Sequence, residues 1–261
     1  MMPIKRGSVG PEVTAWQVAL NDASHTKIAV DGVFGRGTEK ATILFQIAQG
    51  LTPDGAVTQQ TIDVAFTVAG RFKWPFLQAA NYTYTTRASL PLMRAVRLIV
   101  VHTMENSEKP DSAEGVAAWF AGKRGTPPKA SAHACVDNDS LVRCVHPSDV
   151  AWAAPGANAD GYHIEHAGRA SQTDADWRDD YSAAMLAISA RHAADIASAF
   201  DIPAVKLTVD EVRGKTARGF CGHIDVSRAF GKSTHTDPGA GFPWPGYLAL
   251  VNAALLMRRA P

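Results

Sequence analysis

With 261 residues the chain has room for one large domain, or for a small domain beside a medium one, and can bury a sizeable core. Its 26 basic and 25 acidic residues leave a net charge of +1, which argues against a nucleic-acid or anionic-membrane partner. Cys135, Cys144 and Cys221 are too sparse and uneven a set for a disulfide scaffold and fit synthesis in a reducing compartment.

The start, Met1 to Gly7, carries charge but leads into no apolar run, so no signal peptide is read there. No apolar stretch approaches the length of a bilayer-spanning helix, so membrane insertion is not expected. The expectation is a monomer made in the cytoplasm, which a separate agent releases if it works outside the cell.

Residues 1–68 carry a short internal echo, Asp31-Gly32 with Thr38 and Asp54-Gly55 with Thr61. Each Asp-Gly marks a turn, and a helical pattern follows each one: Ala41, Phe45 and Ile47, then Ile62 and Phe66. An earlier helix is entered through Pro11 and carries Val13, Trp16, Val18 and Leu20. A small three-helix domain is predicted. Its frame of Gly7, Gly10, Val13 and Gln17, the two Asp-Gly turns, and Phe45-Gln46 resembles the type 1 peptidoglycan-binding domain. Residues 69–76, with Phe72, Trp74 and Pro75, read as a short linker whose aromatic side chains dock the two domains together.

Beyond it, in residues 77–261, strands alternate with helices. Arg97 to His102 reads as a strand with Leu98, Val100 and His102 on one face. Glu114 to Phe120 reads as a short helix, and Ala132–Val136 with Leu141–Val145 as a hairpin. Gly161 to His166 is a further strand that puts His163 and Glu165 on the face opposite Tyr162 and Ile164. Asp180 to Phe200 is the longest helix, and Trp244 to Met257 a terminal one. The fold class expected is α/β (α+β), a central mixed sheet flanked by helices.

The stretch from Gly219 to Gly239 brings two imidazoles and carboxylates into a segment punctuated by Gly and Pro, while His102 ends the apolar strand. Neutral imidazoles with one carboxylate suit zinc, with a position left for water, so the residues read as a zinc hydrolase. Several motifs then occur in order: Asn81-Tyr82-Thr83, Val101-His102-Thr103, Ser131-Ala132-His133, Ala151-Trp152, Ile164-Glu165-His166, Gly222-His223-Ile224-Asp225 and Asp237-Pro238-Gly239. Together they resemble the zinc N-acetylmuramoyl-L-alanine amidases (amidase type 2), whose fold is shared with peptidoglycan recognition proteins. The N-terminal module ahead of them resembles the arrangement of endolysins from bacteriophages that infect actinobacteria.

That resemblance implies peptidoglycan as partner, Zn2+ as cofactor and His102, His223 and Asp237 as its ligands, with Cys221 a minor rival. It implies Glu165 as the proton-transferring base, Glu105 being the runner-up, and His133 and Trp152 as substrate contacts. His235 is a departure, because many members of the family carry Lys two residues before the ligand Asp. An imidazole there still donates a hydrogen bond to an oxyanion. The Lys123–Lys129 stretch reads as a solvated loop or as a surface for the acidic stem peptide. Two other readings stay open: a peptidoglycan-recognition protein that does not cut, and a zinc peptidase acting within the stem peptide.

Overall fold

The computed structural model describes residues 3–24, 28–58, 60–62, 64–65, 75–83, 95–147 and 149–259. Most of the expected linker, with Phe72 and Trp74, lies outside the described residues, as does Phe66 of the third N-terminal helix. The chain divides into two compact units, one N-terminal and one C-terminal.

In the N-terminal unit, α1 (Pro11–Ser24) and α2 (Arg36–Ala48) pack around Trp16, Leu20, Phe34 and Phe45, and residues 60–62 and 64–65 are helical. The sequence echo is a repeated hydrogen-bonding device. The Gln17 amide donates to the Asp31 carboxylate at 2.8 Å and to the Val33 carbonyl at 3.1 Å, while its oxygen accepts the Gly32 N–H at 2.9 Å. Gln46 does the same one turn later, donating to Asp54 at 3.0 Å and the Ala56 carbonyl at 2.8 Å and accepting from Gly55 N–H at 2.9 Å. Each glutamine is buried, so each Asp-Gly turn has its polar groups satisfied from inside the core. Gly32 and Gly55 sit at φ +71° and +72°, which only a residue without Cβ adopts freely.

The C-terminal unit is built on a five-stranded mixed sheet. Its strands are β2 (Leu98–Thr103), β3 (Ala134–Val136), β4 (Leu141–Arg143), β6 (Gly161–His166) and β7 (Gly219–Gly222), in spatial order β4-β3-β6-β2-β7. The β3–β4 hairpin is antiparallel and the other pairings are parallel. A separate two-stranded ribbon pairs β1 (Tyr82–Thr83) with β5 (Val150–Ala151). Interior β2, between β6 and β7, is buried along its whole length, as a parallel strand covered on both faces must be, and this is why it reads as a continuous apolar run. The strand is anchored at its start by Arg97, whose guanidinium bonds Asp160 at 2.7 Å and the Val212 carbonyl at 2.8 Å.

One face of the sheet carries Tyr162 and His166 against α4 (Asp180–Ala199) and α7 (Trp244–Arg259): Tyr162 bonds His192 at 2.8 Å, and His166 bonds Ser189, which bonds Tyr247. The other face is shared. α3 (Ser112–Phe120) packs its Ala113, Ala117 and Phe120 against Cys135, Val142 and Cys144 of the hairpin side. α5 (Val209–Gly214) and α6 (His223–Phe230) bring Val212 and Val226 against Leu98, Val100 and Cys221. Between those two groups of helices lie the carboxyl ends of β2 and β6, the usual place for a site in a parallel sheet.

The expected mixed sheet flanked by helices is what the chain forms. The short elements β1, β5, α5, β7 and α6 escaped the sequence reading. Strand β7 is four residues with glycine at each end, too short to show alternation, and α6 begins on the residue that follows it.

Candidate metal centre

His102 is the fifth residue of β2, buried at the carboxyl end of that interior strand. His223 is the first residue of α6, placed there because β7 ends at Gly222 and the chain turns directly into the helix. Asp225 supports this turn by accepting the Gly222 N–H at 2.7 Å while holding Lys206 at 2.7 Å. Asp237 comes from the loop after α6, and its carbonyl accepts the Ile224 N–H at 2.8 Å. The approach is close enough that a Cβ on Gly222 would lie 2.6 Å from Pro238. A Cβ on Gly239 would collide with the Ala170 carbonyl, so the loop after β6 packs tightly against this one.

The three side chains converge. His102 Nδ1 lies 3.1 Å from one Asp237 oxygen and His223 Nδ1 lies 3.3 Å from the other. One ligand atom from each of the three falls within 4.8 Å of the others, and all three residues are buried. Burial pushes Asp237 toward protonation, but the hydrogen bonds and charges of His102 and His223 outweigh it and hold the carboxyl far below its usual range. Burial also lowers the pKa of His102, against the pull of Asp237, so its ring favours the neutral form that a metal needs. Two imidazoles and an ionised carboxylate are a donor set suited to zinc, and among the described residues this is the group of that kind.

The outer nitrogens of both rings are also engaged. His102 Nε2 is 3.0 Å from His163 Nδ1, and His223 Nε2 is 3.3 Å from the Ser233 hydroxyl, which lies 2.7 Å from the hydroxyl of Ser227. His235 stacks on His223 with ring centroids 4.3 Å apart, and its Nδ1 lies 3.5 Å from Asp237, while most of the side chain stays in solvent. It stands at the mouth of the centre.

Glu165 is the register partner of His102 across the parallel β2–β6 pair, so the two side chains leave the sheet side by side. Desolvation raises its pKa well above that of an ordinary glutamate, and the negative charges of Asp237 and Glu105 add to the effect. Glu105 is exposed near the centre, and its Oε1 accepts from the Thr103 hydroxyl at 2.6 Å and the Ala170 N–H at 2.9 Å.

Two expectations need correction. His133 is fully buried: its Nε2 bonds the Asp149 carbonyl at 3.2 Å, its Nδ1 accepts the His163 N–H at 3.0 Å, and its ring stacks on Tyr162. It has no surface to offer a polymer and acts from the interior. Cys221 packs in the apolar cluster of Leu98, Val100 and Val226, and burial pushes its thiol up in pKa. It is no rival ligand. His163 and His166 leave the strand on opposite faces; His166 bonds the His102 carbonyl at 3.1 Å and Ser189 at 2.7 Å.

Trp152 remains 37 % exposed, its indole N–H bonded to the Thr83 hydroxyl at 2.9 Å. A groove of about 560 Å³ begins at Glu105 and runs along α3, past Trp119, Arg124 and Arg169. Arg124 is exposed and its guanidinium lies flat over Gly115, 3.4 Å from where a Cβ would stand. The sequence reading had pointed to the Lys123–Lys129 stretch for its charge but not to Trp119 or Arg169, since only the fold brings them to one groove.

The family model for N-acetylmuramoyl-L-alanine amidase matches residues 92–240. The chain belongs to that family. A second model, for a peptidoglycan binding domain, matches residues 9–64, the N-terminal unit of the amidase. Among solved structures, the hydrolase AmiA of Staphylococcus aureus shares the fold at a TM-score of 0.53 and 16% identity, over 78% of this chain and 93% of that one. A Zn-dependent amidase/peptidase/peptidoglycan-binding-domain protein of Clostridium acetobutylicum is 35% identical over 24% of the amidase and 28% of its own length, at a TM-score of 0.23. The endolysin LysCS of Clostridium intestinale aligns at a TM-score of 0.44 and 17% identity, over 69% and 96%. No curated protein matches the sequence.

Proposed function

We propose that the amidase is zinc-dependent, and that it cleaves the bond between the lactyl group of N-acetylmuramic acid and the L-Ala of the stem peptide in bacterial peptidoglycan. The observation that carries this reading is the convergence of His102, His223 and Asp237, from three separate elements, beside the elevated carboxyl of Glu165. The first three are the residues that would hold the ion. When bound, zinc supplies a Lewis-acid centre that polarises the scissile carbonyl and acidifies an attacking water.

Glu165 takes the proton from that water and passes it to the departing amine of L-Ala, a role its raised pKa suits. His235, at the mouth, donates a hydrogen bond to the oxyanion as it forms. Trp152 offers an exposed aromatic face to the glycan strand. Arg124 and Arg169 line the groove where the acidic stem peptide would lie. We assign residues 1–68 to wall binding, 69–76 to the linker and 77–261 to catalysis. Holding the enzyme on an insoluble polymer raises its local concentration there.

In biological terms the module order supports a phage endolysin that acts on the wall of an actinobacterial host after release from its cytoplasm. Mass spectrometry of digested wall tests the chemistry. The amidase frees amino-terminal L-Ala without new reducing sugar ends; a chelator stops it and Glu165→Gln slows it steeply. A purely recognising protein leaves the wall intact, and a stem-peptide peptidase frees other amino termini.

A further inference from the structure

Resting on the zinc reading above, we infer that His163 is a positioning residue for the metal centre, the group that fixes which nitrogen of His102 faces the ion. His163 Nδ1 lies 3.0 Å from His102 Nε2, and His102 Nδ1 is the nitrogen turned toward Asp237. For Nδ1 to present a lone pair to a cation, the ring proton must sit on Nε2. It is then donated to His163 Nδ1. This is the outer-partner arrangement that sets the tautomer and basicity of a metal-bound imidazole.

The surroundings are built around that ring. His163 is fully buried on the sheet face it shares with Val100 and His102, where an imidazole without a purpose is costly. Space for it exists because residue 161 is glycine: a Cβ there would lie 2.9 Å from His163 Nε2 and 3.0 Å from Cε1. His133 clamps the backbone on the other side. It donates its N–H to the His163 carbonyl at 3.0 Å, accepts the His163 N–H on Nδ1 at 3.0 Å, and stacks nearly parallel at 5.6 Å. Because His133 Nδ1 is an acceptor, its own proton sits on Nε2 and goes to the Asp149 carbonyl. A run of hydrogen bonds thus leads from the ligand to the loop carrying Asp149, and it gives buried His133 a role.

The test is zinc affinity of the full chain, measured by competition with a chromogenic chelator, for wild type and for His163→Ala, His163→Gln and His163→Asn. Asparagine returns an acceptor to the place of Nδ1; glutamine keeps bulk but puts its amide further out. Ala and Gln should bind zinc about 10- to 100-fold more weakly, with Asn recovering most of the loss. Wild-type affinity in His163→Ala, or equal loss in all three variants, overturns the assignment and leaves the metal reading standing. A wild type that binds no zinc overturns both. Should Ala and Gln fail to fold, Asn decides: near wild-type affinity sustains the assignment and a tenfold loss ends it.

Discussion

Asp237 is where burial and hydrogen bonding pull hardest in opposite directions. A carboxylate removed from water prefers a proton, and it stays ionised here because two imidazoles reach it from β2 and α6. Asp237→Ala should abolish zinc retention on dialysis. Glu165→Gln should keep the zinc but lower the rate by about 10²- to 10⁴-fold, the span general-base catalysis supplies. Metal analysis beside a soluble muropeptide assay separates the two. His166 gives a pH prediction with a definite sign. Burial lowers its pKa to about 4, so the folded state binds fewer protons than the unfolded chain between there and the ordinary histidine value. Its contribution is present above pH 6.5 and lost as pH falls toward 4, up to about 3 kcal/mol. Denaturant unfolding from pH 4 to 7 should show this slope, reduced in His166→Gln. At this scale the converging trio of His102, His223 and Asp237 was legible because its motifs are short and ordered. The interior place of His133 was not, since a histidine in a motif looks the same whether it faces solvent or a neighbouring strand.

The Asp-Gly turns show how an element's sequence pattern hides its cause. The echo at Asp31-Gly32 and Asp54-Gly55 is visible to the eye, but the glutamines that satisfy it come from helices α1 and α2. Gln46→Ala removes the partner of three groups at once and should destabilise the N-terminal unit by about 2–3 kcal/mol. Calorimetry should show the transition of the N-terminal unit moving while that of the other unit stays. β2 was readable as an unbroken apolar run, and β6 and α4 from their periodicity, because each is long enough to show a pattern. β7 and α6 were not: four residues, then a helix starting at once, give neither period room to repeat. Along α3, the double variant Arg124→Ala, Arg169→Ala should raise KM for stem peptides bearing carboxylates several-fold and leave kcat nearly unchanged. Equal KM values would take the groove out of substrate binding.

For the whole molecule, the separation of wall binding from catalysis predicts that deleting residues 1–68 lowers activity on insoluble wall while sparing hydrolysis of a soluble muropeptide. Equal losses on both substrates would mean that the N-terminal unit supports the fold of the other. Class and architecture were legible because a buried parallel strand and amphipathic helices leave strong patterns. The groove was not, because Trp119, Arg124 and Arg169 meet only after α3 packs on the hairpin. Everything in the functional account depends on one ion held by three residues from separate elements. The direct measurement is anomalous scattering at the zinc edge from crystals of the full chain soaked in Zn2+. The account predicts one peak about 2.0–2.2 Å from His102 Nδ1, His223 Nδ1 and an Asp237 oxygen. No peak there, or a peak held by other residues, would contradict it.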